Sequence, residues 1–184
     1  MRKFSIVSWA IAVVVCVSVS RADDVPQGIS AGPEHQWLAQ LAGQWESTGE
    51  ANIPGADPLT CTGSEDAHML GDLWLISEGE GSMMGHTVNT QLTLGYDPDQ
   101  QKFVGTWIDS SSGYMWKYEG TLDERTQTLT LDTRGPSMVN PGEQANYRET
   151  IQLLEDGQKL FTSSVEGENG EWQTIVTVRS TRKE

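Results

Sequence analysis

Apolar and polar residues alternate along most of this chain, and turn residues break the alternation at short intervals. The clearest unit runs from Gly95 to Ser110. An extended segment ends there at Tyr96, Asp97-Pro98-Asp99 follows, and a second extended segment begins at Phe103. Pro presets one backbone angle and Asp side chains bond to nearby backbone, which is turn chemistry. The unit therefore predicts a β-hairpin.

The same pattern recurs between Gly43 and the C-terminus and predicts about ten strands. Their approximate ranges are 44–53, 59–70, 72–80, 86–96, 102–109, 113–122, 127–133, 145–154, 159–166 and 171–180. Asp156-Gly157 and Asn169-Gly170 are strong hairpin signals because these residues tolerate a positive φ. Regular spacing with tight turns favours an all-β fold, a single antiparallel meander closed into a β-barrel, with a two-sheet sandwich as the alternative.

One short helix is predicted before the first strand, from Pro33 to Leu41. Pro stands at its start and Glu34 lies in the first turn. Trp37, Leu38 and Leu41 then share one face.

The first 22 residues have the pattern of a secretory signal peptide. Arg2 and Lys3 precede an apolar run from Ile6 to Val19, and the small residues of Ser20-Arg21-Ala22 suit a cleavage site. The run is shorter than the about 20 residues that span a membrane. The predicted organisation is a signal peptide over 1–22, a linker over 23–33 and a barrel domain over 34–184. We expect an exported protein, periplasmic or extracellular after cleavage, with no stable membrane association.

The composition narrows the possible partners. Acidic residues number 26 against 12 basic ones, for a net charge of −14, and cleavage after Ala22 would remove three basic residues and no acidic one. Such a chain repels nucleic acid. Cys61 would be the one cysteine left, so an intramolecular disulfide is excluded.

Aromatic residues recur at every second position of two successive predicted strands. One face carries Phe103, Gly105, Trp107 and Asp109, and the next strand carries Tyr114, Trp116, Tyr118 and Gly120. Neighbouring strands bring such residues together as an aromatic wall. In a ten-stranded barrel the wall either lines a cavity for a small ligand or fills the interior.

Polar residues among these aromatics are the candidates for a binding site. Glu78 shares the strand parity of Trp74, and Asp109 that of Trp107. The predicted ligand-binding set is Trp74, Glu78, Trp107, Asp109, Trp116 and Tyr118. Two carboxylates brought together in such a pocket would raise one pKa and permit acid–base catalysis.

The sequence contains no recognisable metal-binding motif. His35, His68 and His86 are scattered, and no zinc-type spacing of His or Cys occurs. We expect no metal site and no cofactor.

Several motifs resemble a bacterial family of unknown function, DUF1579. They are Leu38-Ala-Gln-Leu41-Ala-Gly43-Gln-Trp45, Leu70-Gly-Asp-Leu-Trp74, Gly95-Tyr-Asp-Pro98, Phe103-Val-Gly105-Thr-Trp107-Ile-Asp-Ser110 and Trp116-Lys-Tyr-Glu-Gly120-Thr-Leu. The resemblance runs from about His35 to Arg182, nearly the whole predicted mature chain. It implies no particular reaction and no agreed site.

A more distant similarity is to the calycins, which include lipocalins, fatty-acid-binding proteins and nitrobindin-like barrels. A short helix leading into Gly-x-Trp carries it, here Gly43-Gln44-Trp45. The similarity implies that Trp45 closes the barrel floor under Arg182, a structural pair. Nitrobindin-like barrels bind haem through one histidine, for which His68 or His86 would be the candidate.

Three functions follow from these observations. The first is non-catalytic binding of a small, partly apolar molecule inside the barrel. The second is a hydrolase- or isomerase-like enzyme that uses Glu78 and Asp109. The third is a structural or interaction module with a solid core. The sequence gives no oligomeric state.

Overall fold

A computed structural model describes residues 30–55, 57–83, 86–138 and 140–183. The predicted signal peptide and residues 23–29 of the predicted linker lie outside the described residues. Within the described part of the chain, no helix is long and apolar enough to cross a membrane.

The described residues form one short helix and ten antiparallel strands. These elements are α1 (Pro33–Ala39), β1 (Gly43–Ala51), β2 (Leu59–Leu70), β3 (Trp74–Met83), β4 (His86–Asp97), β5 (Lys102–Asp109), β6 (Trp116–Asp123), β7 (Thr128–Pro136), β8 (Gln144–Leu153), β9 (Lys159–Glu166) and β10 (Trp172–Arg182). Each strand pairs with the next, and β1 also pairs with β10, which closes the barrel. The predicted all-β meander barrel is confirmed.

The predicted helix is two residues longer than the observed one. α1 ends at Ala39, and the following amides of Leu41 and Ala42 bond to the carbonyls of Leu38 and Ala39 at 2.9 and 3.3 Å. These i to i−3 bonds tighten the last turn, as is common where a helix ends. The tighter turn leads the chain directly into Gly43 and β1.

The helix covers one end of the barrel, which we call the floor. Trp37 and Leu38 are buried there with Phe103 at the start of β5. The Trp37 indole N–H donates a hydrogen bond of 3.0 Å to the Gln127 side chain, in the turn before β7. The C-terminal ends of β1, β3, β5, β7 and β9 lie at the opposite end, which we call the mouth.

Candidate functional site

The barrel encloses a cavity of about 340 Å³. Alternation along each strand sends every second side chain inward, and most of the inward side chains are apolar. Its main apolar walls are Leu75, Leu92, Trp107, Trp116, Leu131 and Phe161. The volume lies in the range of about 300–1,000 Å³ that small-molecule sites occupy.

Glu149, on β8, is a buried carboxyl group in the wall of this cavity. Its side chain is 9% exposed and accepts a hydrogen bond of 3.1 Å from the Ser163 hydroxyl on β9. Burial raises the pKa of Glu149 to about 7, although the bond from Ser163 acts in the opposite direction. The group can therefore change charge near neutral pH.

Two tyrosines of the cavity lie within the electrostatic reach of Glu149. Burial raises the pKa of Tyr118, and the nearby charge of Glu149 raises it further. Burial is also the main cause that raises the pKa of Tyr147. The Tyr147 hydroxyl donates to the Pro136 carbonyl at 2.9 Å and accepts from the Met138 amide at 3.1 Å. Tyr147 thus holds the loop that carries Met138 at the mouth.

An ion pair between Lys159 and Glu65 lies near the floor of the cavity. The Lys159 ammonium also lies 4.6 Å from the centre of the Trp45 ring. Burial lowers the pKa of Lys159, and Glu65 opposes that shift. The pair gives the floor two charges of opposite sign.

Gly43, Trp45 and Arg182 close the floor. Trp45 is 1% exposed, and its indole N–H donates to the Leu41 carbonyl at 3.0 Å. The Arg182 guanidinium lies 4.3 Å from the Trp45 ring centre and donates to the carbonyls of Ala42 and Gln40. A Cβ on Gly43 would lie 2.3 Å from Arg182 Nη1, and the φ of +134° also favours glycine. These contacts bring Gly43, Trp45 and Arg182 together at the floor, where the similarity to calycins had placed them.

Trp107, Trp116 and Tyr118 all line the cavity. Trp116 makes edge-to-face contacts with Tyr114 and Tyr147, each with ring centroids 5.2 Å apart. The predicted aromatic wall is therefore present, and it borders open space and does not fill the barrel.

Glu78 and Trp74 lie on the outside, and their assignment to the cavity is wrong. The inward residues of β3 are Leu75 and Ser77; Glu78 is exposed and Trp74 is 38% exposed. A Cβ on Gly95 would lie 2.5 Å from the Trp74 ring, so this indole packs over a glycine of β4 on the outer surface. A shift of one residue exchanges the two faces of a strand, and the large aromatic residue indicated the wrong face.

Asp109 keeps the parity of Trp107 but does not line the cavity. It is the last residue of β5, at the mouth. Its carboxylate accepts a hydrogen bond of 2.7 Å from the Ser111 amide, which is the usual role of Asp at the start of a turn. The sequence placed Asp109 inside the cavity, and the structure places it at the mouth instead.

Glu149, Glu65 and Lys159 were not predicted as site residues from the sequence. A usable signal existed for Glu149, because Tyr147, Glu149 and Ile151 alternate with polar residues along β8. Arg148, between them, faces outward, where it bonds to Asp132 at 2.8 Å. The pairing of Glu65 with Lys159 has no local signal, since the two residues are 94 positions apart.

No histidine of the described chain lines the cavity. His68 and His86 are exposed, so neither is placed to hold a haem inside the barrel. His35 is buried outside the cavity, where its Nδ1 accepts a hydrogen bond of 3.0 Å from the Gly32 amide. The described residues contain no cluster of three or more His, Cys, Asp or Glu suited to a metal ion.

Comparison with known proteins agrees with the fold. Residues 30–182 match the family described as "Protein of unknown function (DUF1579)", and the chain belongs to that family. No curated protein matches it in sequence.

Two solved structures are similar to this barrel. Rv2717c from M. tuberculosis has a TM-score of 0.59 and 13% identity, covering 84% of this chain and 100% of that one. The S-type phycobiliprotein lyase CPES from Guillardia theta has a TM-score of 0.54 and 14% identity, covering 82% of this chain and 93% of that one. At these identities the similarity shows the fold alone.

Proposed function

We propose that this protein binds a small, partly apolar molecule inside the barrel and does not transform it. The observation that supports the proposal is the cavity of about 340 Å³. Apolar surface predominates in its walls, and polar side chains, Glu149, Ser163 and Tyr118 among them, converge on it. Sites for small molecules have this composition: apolar surface supplies affinity, and a few polar groups orient the ligand.

The alternative functions have less support. A module with a solid core would have no use for an open interior of this size. An enzyme that uses Glu78 and Asp109 has less support, because neither carboxylate lines the cavity. The fold also occurs in a protein named as a lyase, but an identity of 14% carries no activity across.

Binding is tested with a neutral apolar fluorescent probe, N-phenylnaphthylamine, titrated into the folded protein. We expect about one site per chain, since one such ring system matches a cavity at the small end of the ligand-site range. Trp107→Ala should weaken binding by roughly 1–3 kcal/mol, the scale of burial of one large side chain. Trp74→Ala is the matched control, because Trp74 lies on the outer surface. This variant should bind the probe with the same affinity as the wild type.

Failure of the folded wild-type protein to bind the probe would contradict the proposal, as would equal losses in the two Trp variants. Native mass spectrometry of protein purified from its own host is the second measurement. A native mass above that of the mature chain would report a retained ligand, provided that the excess mass disappears when the protein is denatured.

We also propose that the protein acts after export. The proposal is supported by the signal-peptide pattern of residues 1–22. It would place the cavity in the periplasm or outside the cell, where it could hold a molecule taken from the surroundings.

A further inference from the structure

Three charged side chains of the described chain line the cavity, and two of them form a pair. Lys159 binds Glu65 near the floor, so their charges offset each other. The third, Glu149, takes part in no ion pair among the described residues. The unbalanced charge that the interior can carry is therefore negative.

The residues directly opposite Glu149 on the two neighbouring strands are neutral, and the charged side chain of β9 that lines the cavity, Lys159, is paired with Glu65. Leu131 lies opposite on β7 and Ser163 opposite on β9. Tyr118 on β6 faces the same part of the cavity, and Tyr147 precedes Glu149 on the inward face of β8. The hydrogen bond from Ser163 uses part of the acceptor capacity of a carboxylate, which can accept about four bonds.

Buried polar groups are stable when they have hydrogen-bond partners, and buried charges when they are paired. The cavity presents acceptor capacity at Glu149 and apolar surface around it. A ligand that fills this space binds most tightly if it brings a hydrogen-bond donor for the unused acceptor capacity of Glu149. A ligand with a carboxylate instead places a second negative charge beside Glu149.

We infer that the molecule held in the barrel has an apolar body and an N–H or O–H donor that bonds to Glu149, with an amine cation as the best match. Carboxylates of the same shape are rejected. The inference rests on the proposed binding function and specifies its ligand class. The acidity of the whole chain, with a net charge of −14, acts in the same direction, because it attracts cations and repels anions.

The titration of Glu149 gives this inference a pH signature. With a pKa of about 7, the free carboxyl group is about one tenth ionised at about pH 6 and nine tenths at about pH 8. An alkyl ammonium stays charged throughout that interval. Affinity for an amine should therefore rise about tenfold from about pH 6 to about pH 8, if only the carboxylate form binds it.

The test uses three probes with one apolar body: adamantylmethylamine, adamantylmethanol and adamantanecarboxylate. Binding to the full mature chain is measured by isothermal titration calorimetry at about pH 6 and about pH 8. At the higher pH, where Glu149 is mostly ionised, we expect the amine to bind more tightly than the alcohol and the carboxylate to bind at least tenfold more weakly than the alcohol.

Two variants assign these preferences to one side chain. Glu149→Gln keeps the size of the group and its acceptor for Ser163, and should remove both the pH dependence and the advantage of the amine over the alcohol. Glu78→Gln removes an exposed carboxylate and should leave the order of the three probes unchanged. The pH profile of the wild-type protein gives the same test without a substitution, should Glu149→Gln fold poorly.

The possible outcomes separate this inference from the proposed function. Equal binding of amine, alcohol and carboxylate, or a pH dependence that survives in Glu149→Gln, would overturn the inference and leave the binding function intact. Absence of binding by all three probes and by N-phenylnaphthylamine would overturn both.

Discussion

At the residue scale, the two buried ionisable centres of the cavity differ in how their charge is offset. Lys159 and Glu65 face each other, so each charge has a partner. Glu149 accepts a hydrogen bond from Ser163. Among the described residues, no cationic side chain forms an ion pair with it. Desolvation of an unpaired carboxylate is costly, which is why burial raises its pKa.

The raised pKa of Glu149 predicts a dependence of stability on pH. Its pKa rises from 4.5 in the unfolded chain to about 7 in the folded one, so the folded chain binds the proton more tightly. The stabilisation is complete below the unfolded pKa and is lost as the pH rises through about 7. We expect Glu149 to lower the free energy of unfolding by about 3 kcal/mol between about pH 4 and about pH 8.

Urea unfolding of the wild type and of Glu149→Gln across this pH interval measures the effect. Glu149→Gln should lack the decrease in the free energy of unfolding that Glu149 causes as the pH rises. The stability of this variant relative to the wild type should therefore rise with pH. Glu78→Gln, at an exposed position, should follow the wild type. Parallel pH curves for the wild type and Glu149→Gln would show that the carboxyl group is not desolvated.

At the element scale, two pairs of neighbouring strands use the same packing on opposite faces of the sheet. Trp74 of β3 packs over Gly95 of β4 on the outside. Trp116 of β6 packs over Gly135 of β7 on the inside, where a Cβ on that glycine would lie 2.3 Å from the indole ring. In both pairs the missing Cβ leaves room for the aromatic ring. The two pairs differ in that only the Trp116 ring borders the cavity.

Gly135→Ala and Gly95→Ala therefore form a matched comparison. Each added methyl group must displace an indole ring, and overpacking of this kind costs about 1–3 kcal/mol of stability. We expect only Gly135→Ala to change the affinity for N-phenylnaphthylamine, because only Trp116 lines the cavity. Denaturant unfolding and probe titration measure the two effects. A change in affinity in Gly95→Ala as large as in Gly135→Ala would contradict the assignment of the faces.

At the scale of the whole molecule, closure of the barrel creates the interior. β1 pairs with both β2 and β10, so the sheet has no free edge. Trp45 stands opposite Arg182 in that closing pair, where helix α1 meets the end of the last strand. The same contact therefore completes the barrel and seals its floor.

Export predicts a defined N-terminus for the mature protein. Cleavage after Ala22 would leave Asp23 as the first residue, because small residues before the cut suit signal peptidase. Intact mass of the protein recovered from outside the cytoplasm should equal that of residues 23–184. A mature mass that still includes Met1 to Ala22 would contradict export through a cleaved signal peptide.

Much of the fold was predictable because it depends on local patterns. The bounds of β2, β5 and β9 agree with the predicted ranges, since turn residues end these strands sharply. The aromatic wall was also predictable, because Trp107, Trp116 and Tyr118 follow a simple alternation on adjacent strands. Glu78 and Asp109 were misplaced for two different reasons, the wrong face of a strand in one case and the end of a strand in the other.

The sequence by itself determined the strands, the turns, the short helix α1 and the closure motif at Gly43 and Trp45, because alternation and turn chemistry act over a few neighbouring residues. Only the tertiary structure decided which face of β3 points inward and which charges meet inside. The inward face depends on the register between strands, where a shift of one residue reverses every side chain. The pairing of Lys159 with Glu65, and the absence of such a partner for Glu149 among the described residues, depend on strands brought together by closure, which no local pattern records.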